Sequence, residues 1–124
     1  MFINIILVVI GGGLGSASRY LFSLLATRWF GSNFSWGTLG VNLIGCFVIG
    51  FAFSLAGRNI LSPNARLFFM TGFLGGLTTF STYMLESTNF FRGKEIVLAF
   101  GNIAANNLGG LALVLIGLWL GRLV

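Results

Sequence analysis

Between Arg66 and Glu86 the chain carries no charged residue, a run about as long as the roughly 20 apolar residues a membrane-crossing helix needs. Its middle is unlike a plain apolar helix. Gly72-Phe73-Leu74-Gly75-Gly76-Leu77 leads directly into Thr78-Thr79-Phe80-Ser81-Thr82-Tyr83. The glycines weaken the helix, and the hydroxyl side chains compete for its backbone groups. In hydrocarbon, a loosened backbone persists only where it lines a cavity, meets an ion or is covered by protein. Interrupted membrane helices commonly hold ions and substrates. The break is therefore the first place to look for function.

The rest of the chain is equally apolar. It is 56% hydrophobic and 7% charged, against about 25% charged in soluble domains. Charge-free stretches at 1–18, 29–57, 67–85 and 96–121 predict an all-α membrane protein with four spans, near 2–25, 36–57, 64–90 and 95–121. These form one domain, 1–124, whose third helix is broken at its centre. The connections are short: Thr27 to Ser35, Arg58 to Pro63, Phe91 to Lys94. Ser62-Pro63 reads as an N-cap followed by proline at the first helical position.

The opening Met1-Phe2-Ile3-Asn4 has no Lys or Arg, so a cleaved signal peptide is not expected. Cys46 is the only cysteine and lies mid-span, so no intramolecular disulfide is expected.

Four spans place both termini on one side, with Arg58, Arg66 and Arg122. The other side holds Arg28, Arg92 and Lys94, plus Arg19 if the first helix ends near it. Lys/Arg asymmetry orients membrane proteins, and here the two sides nearly balance. Both orientations should therefore insert, and oppositely oriented copies can pair about a two-fold axis in the membrane plane. A single orientation set by subtler signals is the alternative. The +5 net charge is scattered one or two residues per loop, which argues against a nucleic-acid surface. It suits anionic lipid headgroups or the attraction of small anions to a pore mouth.

Glycines at Gly11 and Gly15, Gly72 and Gly76, and Gly117 and Gly121 have the spacing that lets membrane helices approach closely. Buried polar side chains are few. Asn42 lies mid-span in the second helix, and Asn102, Asn106 and Asn107 lie in the fourth. Thr78, Thr79, Ser81 and Thr82 come from the break. Amides and hydroxyls donate to anions or present oxygens to cations, or simply join helices. Glu86 lies near a helix end and suits a vestibule. Arg19 either snorkels to headgroups or draws anions inward. Phe80 and Tyr83 share a face after the break. Their positive ring edges can meet a partly dehydrated anion without binding it too tightly to leave.

Three strings together resemble the Fluc/CrcB family of small dual-topology fluoride channels. They are Gly12-Gly13-Leu14-Gly15-Ser16-Ala17-Ser18-Arg19-Tyr20, Gly37-Thr38-Leu39-Gly40-Val41-Asn42-Leu43-Ile44-Gly45, and Gly72 through Thr82 with Glu86. The resemblance covers nearly the whole chain. It implies an antiparallel homodimer in the bacterial inner (cytoplasmic) membrane, with two fluoride pathways. It also implies a structural Na⁺ at the dimer interface, held by backbone carbonyls of Gly75 and Thr78. The implied pore residues are Asn42, Thr79, Phe80, Ser81, Thr82, Tyr83 and Asn106, with Arg19 and Glu86 toward the vestibules. The family often has Phe at the position of Tyr83 and Ser at that of Asn106.

Two other classes compete. A four-helix multidrug exporter needs a membrane-centred carboxylate, and the first helix has none. An assembly subunit would use the same polar residues as glue. An enzyme is not expected, because with neither His nor Asp in the chain the usual acid–base and metal-ligating groups are almost all missing.

Overall fold

The computed structural model describes residues 1–124, all in helices and short connections with no strand. The first helix, α1 (Phe2–Phe30), runs further than the charge pattern predicts. Arg28 sits in its last turn, where a cation complements the helix dipole. Gly31, at φ 82°, ends it, a left-handed conformation that glycine adopts without strain. The expected connection from Thr27 thus shortens to residues 31–35. Phe34 in that turn stacks on Phe90 at 5.8 Å between ring centres.

Helix α2 (Trp36–Gly57) is the most apolar element. At its C-terminal end Arg66 donates to the carbonyl of Ala56 in the last turn and to that of Leu61 in the connection that follows, tying the start of the next helix to the end of this one. Helix α3 covers residues 63–77. It starts as Ser62-Pro63 predicts, with the Ala65 N–H donating to Ser62 Oγ at 3.2 Å. Its middle, Arg66–Leu74, is wound more widely, as a π-helix. Thr78 and Thr79 are extended, and α4 (Phe80–Arg92) follows. The last helix, α5 (Ile96–Leu123), contains a second widened turn at Ala105–Gly109.

Three helices, α1, α2 and α5, are long and apolar enough to cross a membrane. Neither α3 nor α4 is long enough alone. The four helical passages pack in two tight pairs. In the first, α1 meets α3 through glycine: a Cβ on Gly11 would lie 2.2 Å from the Phe68 carbonyl oxygen, and one on Gly15 2.0 Å from that of Phe73. In the second, α2 meets α5, where a Cβ on Gly117 would lie 2.2 Å from the Phe47 carbonyl oxygen. Backbones this close exchange dispersion contacts over their whole length, the main attraction between helices in lipid.

A small core of Val41, Leu74 and Leu77 joins the two pairs. Only 22 of 124 residues are buried. Large apolar side chains cover the outside, from Phe2 and Ile3 to Trp119 and Leu123. A surface so apolar suits lipid as its solvent.

Candidate functional site

Extending Thr78 and Thr79 has an arithmetic consequence. In an unbroken α-helix each N–H bonds the carbonyl four residues earlier. The Thr79 N–H instead donates to Asn42 Oδ1 at 2.8 Å, so the Gly75 carbonyl loses its helical donor. The Thr82 N–H instead donates to Thr79 Oγ1 at 3.2 Å, so the Thr78 carbonyl loses its own. Thr79 is thereby the N-cap of α4. Its hydroxyl also donates to Thr82 Oγ1 at 3.0 Å.

Two helix ends therefore meet at one place. The C-terminus of α3 presents open carbonyls with a partial negative charge, and the N-terminus of α4 presents N–H groups with a partial positive one. The negative end is partly compensated. Arg19 Nη1 donates to the Thr78 carbonyl at 3.3 Å, and Ser16 Oγ to that of Gly76 at 3.5 Å. Both donors come from α1, on the glycine-lined face that holds α3.

Asn42 faces the break from α2. Its Nδ2 donates to the Thr79 carbonyl at 3.0 Å and to Asn106 Oδ1 at 2.9 Å. With Oδ1 accepting from the Thr79 N–H, both amide hydrogens and the oxygen are engaged. Asn106 in turn donates to Asn102 Oδ1 at 3.1 Å and to the Asn102 carbonyl at 2.9 Å.

The rings after the break differ sharply in environment. Tyr83 is buried, whereas Phe80 is 70% exposed. They meet edge to face, 5.2 Å apart at 80°. The Tyr83 hydroxyl accepts from Asn107 Nδ2 at 2.9 Å. A cleft of about 310 Å³ gathers Asn42, Gly75, Thr78, Thr79, Phe80, Tyr83 and Asn106 on its walls. Ser81 and Thr82 are exposed and lie outside that lining.

Glu86 is half-buried rather than freely solvated. The Thr38 hydroxyl donates to its Oε1 at 2.6 Å, while Oε2 is buried with no donor. Thr38 is a partner that local sequence does not reveal, because it is 48 residues away in the chain. Asn107 is a second residue that sequence spacing alone does not assign to Tyr83. Asn102 and Ser87 are others: Asn102 is 0% exposed and donates to Ser87 Oγ at 2.9 Å. The four-residue spacing of Asn102 and Asn106 was the available signal for a shared polar face.

No cluster of His, Cys, Asp or Glu capable of holding a metal exists in the chain. The oxygens at the break are backbone carbonyls and hydroxyls, which suit a cation, whereas an anion calls for N–H, amide or hydroxyl donors.

The sequence matches the model of the CrcB-like protein, Camphor Resistance (CrcB) family over residues 6–118. It is 44% identical over 121 residues to a protein of Agrobacterium fabrum named fluoride-specific ion channel FluC, covering 97% of each chain. Proteins of the same name from Mesorhizobium japonicum (38% over 119 residues, 96% of each chain) and Gloeothece citriformis (41% over 118 residues, 95% of this chain and 96% of the other) are similarly close. The match spans all the helices that build the break and its surroundings, and by it the chain belongs to the CrcB-like family of fluoride channels.

Proposed function

We propose that the protein is a fluoride-selective channel that lets F⁻ leave the cell passively across the bacterial cytoplasmic membrane. Its likeness to FluC proteins over nearly its whole length supports the ion. The observation that carries the mechanism is the meeting of two helix ends at Thr78-Thr79, which sets cation-attracting carbonyls beside anion-attracting N–H groups.

In this reading α3 and α4 act in series as the third membrane crossing, broken at its centre. Two copies pair antiparallel, and each dimer has two pores. Along each pore the edges of Phe80 and Tyr83, the hydroxyls of Thr79, Ser81 and Thr82, and the amides of Asn42 and Asn106, each on releasing one of its present bonds, replace part of the ion's hydration. None of these carries a full positive charge, so the ion remains free to leave. Arg19 and Glu86 belong to the approaches. The high exposure of the Phe80 ring suits a face completed by the second copy. Gly75 supports the same pairing: a Cβ there would meet nothing within 4 Å in its own chain.

A structural Na⁺ fits the freed carbonyls of Gly75 and Thr78. A carbonyl oxygen has two lone pairs, so Thr78 can accept from Arg19 and still face an ion. Two carbonyls from each copy would hold it, and its role would be to neutralise the helix ends at the interface. The driving force for export is weak-acid trapping. Neutral HF enters, ionises inside, and the anion leaves through the channel down its gradient.

The test is fluoride efflux from proteoliposomes, read with a fluoride electrode after valinomycin, beside chloride-loaded vesicles. Fast fluoride efflux without chloride efflux is expected. No fluoride efflux from folded protein would overturn the reading.

A further inference from the structure

The polar side chains behind the break form a single directed chain. Asn42 donates to Asn106 Oδ1, and Asn106 donates to Asn102 Oδ1. Asn102 donates to Ser87 Oγ, and Ser87 Oγ donates to the Tyr83 carbonyl at 2.8 Å. Every donor points the same way, from the break toward a backbone carbonyl of α4. Asn102 and Ser87 are almost wholly buried, at 0% and 2% exposure. Water is therefore absent from that end of the chain as a substitute partner.

Such a chain removes a freedom that an isolated amide has. An Asn side chain can rotate to exchange its oxygen and nitrogen at little cost. Here, turning Asn42 or Asn106 sets donor against donor on one side and acceptor against acceptor on the other, and turning Asn102 sets its nitrogen against that of Asn106 and draws the Ser87 hydroxyl off the Tyr83 carbonyl. An unmade bond in a buried site is costly, and linked bonds polarise one another. Thr79 itself selects the orientation of Asn42, through its N–H and its carbonyl, and the bond to Asn106 braces that two-point hold from α5.

We propose that Asn102 is a positioning residue for the ion pathway, acting through Asn106 and Asn42 on the Thr79 peptide without touching the ion. This rests on the channel reading of the break. One corollary concerns Asn42. With both amide hydrogens engaged by Thr79 and Asn106, its role in this arrangement is to hold the backbone that carries Phe80, and it meets an anion only by releasing a bond.

Replacing Asn102 alone would leave the buried Ser87 oxygen without a donor, though its hydroxyl keeps the Tyr83 carbonyl, so the informative variant is Asn102→Leu with Ser87→Ala. Removing both buried partners leaves neither unpaired. Amide exchange is followed by mass spectrometry on the full-length protein in lipid nanodiscs, comparing the Thr79 N–H with the Gly72 N–H at the α1–α3 seam. Thr79 exchange is expected to rise roughly tenfold with Gly72 unchanged, and fluoride efflux to fall by about the same factor. Adding Asn42→Ala is then expected to cost less than the same substitution costs in the otherwise unsubstituted protein, the non-additivity of residues that act as one unit.

Unchanged exchange at Thr79 overturns the proposal whatever the efflux does. A rise at Thr79 and Gly72 together also overturns it, because it marks general loosening. If the double variant does not assemble, Asn106→Ala breaks the same chain one link nearer the break, and the same criteria apply. Failure of the channel reading is separate: it would appear as absent efflux from the unsubstituted protein, while the exchange comparison would still decide the relay.

Discussion

Asn42 grips Thr79 by both of its backbone groups, accepting from the N–H at 2.8 Å and donating to the carbonyl at 3.0 Å. This is the pairing one β-strand residue offers another, supplied here by a side chain. It makes an extended residue tolerable where Thr79 is buried and an unpaired peptide is costly. The interruption of the helix and the position of Asn42 are thus one feature.

Asn42→Ala leaves both Thr79 groups without a partner. The expected loss is about 2 kcal/mol of stability, visible as a lower melting temperature in detergent. Fluoride efflux from proteoliposomes is expected to fall at least as far. A variant with normal efflux would show that the break holds its shape unaided.

Phe80 and Tyr83 separate packing from permeation. Phe80 is 70% exposed, so Phe80→Ile should leave the subunit's fold intact; Ile keeps that face apolar, so the dimer should still assemble while most fluoride efflux is lost. Tyr83→Phe removes the hydroxyl that accepts from Asn107, which keeps its bond to the Ile103 carbonyl at 2.8 Å. Its cost should be about 1 kcal/mol, with efflux retained. Efflux unaffected by Phe80→Ile, in folded protein, would remove the ring edges from the mechanism.

Two glycines should respond to alanine in opposite ways. At Gly15 a Cβ would lie 2.0 Å from the Phe73 carbonyl oxygen, so Gly15→Ala must push α1 from α3 at a cost of about 3 kcal/mol. At Gly75 the added methyl meets nothing in its own chain and should leave the monomer's helices unchanged. If Gly75 faces a second copy, Gly75→Ala lowers the dimer fraction, measured by cross-linking in liposomes. An unchanged dimer fraction and efflux would place the interface elsewhere.

Arg19 tests the electrostatics of the approach. Arg19→Gln removes the cation from the Thr78 carbonyl while keeping a donor. The efflux deficit should be several-fold at about 0.01 M salt and should shrink toward none at about 1 M, where charges are screened within a few ångströms. A deficit independent of salt would assign Arg19 a purely structural part.

The orientation balance can be tested directly. Adding two Lys to the connection at 31–35 should bias insertion toward one topology. Expressed alone, that variant should lose efflux if oppositely oriented copies are required. Full activity would exclude an obligatory antiparallel pair.

The apolar runs bounded by Arg28, Arg58, Arg66 and Arg122 determined an all-helical membrane chain, because spanning length and desolvation depend on composition along a short stretch. Gly72 through Thr82 pointed to the stretch where Thr78 and Thr79 are extended for the same reason: loss of helix propensity is local. The glycine pairs marked the close seams, since Gly11 and Gly15 lie on one face of one helix. The end of α1 is less legible: the pattern predicts a connection from Thr27, whereas the helix runs to Phe30 with Arg28 in its last turn, because a cation there complements the helix dipole. Only the tertiary structure decided where the freed hydrogen bonds go. That Thr79 turns to Asn42, that Thr38 meets Glu86 and that Asn107 meets Tyr83 depends on helices far apart in the chain. Such pairings follow from how α2, α4 and α5 pack, and a buried polar group takes whichever partner that packing brings within reach.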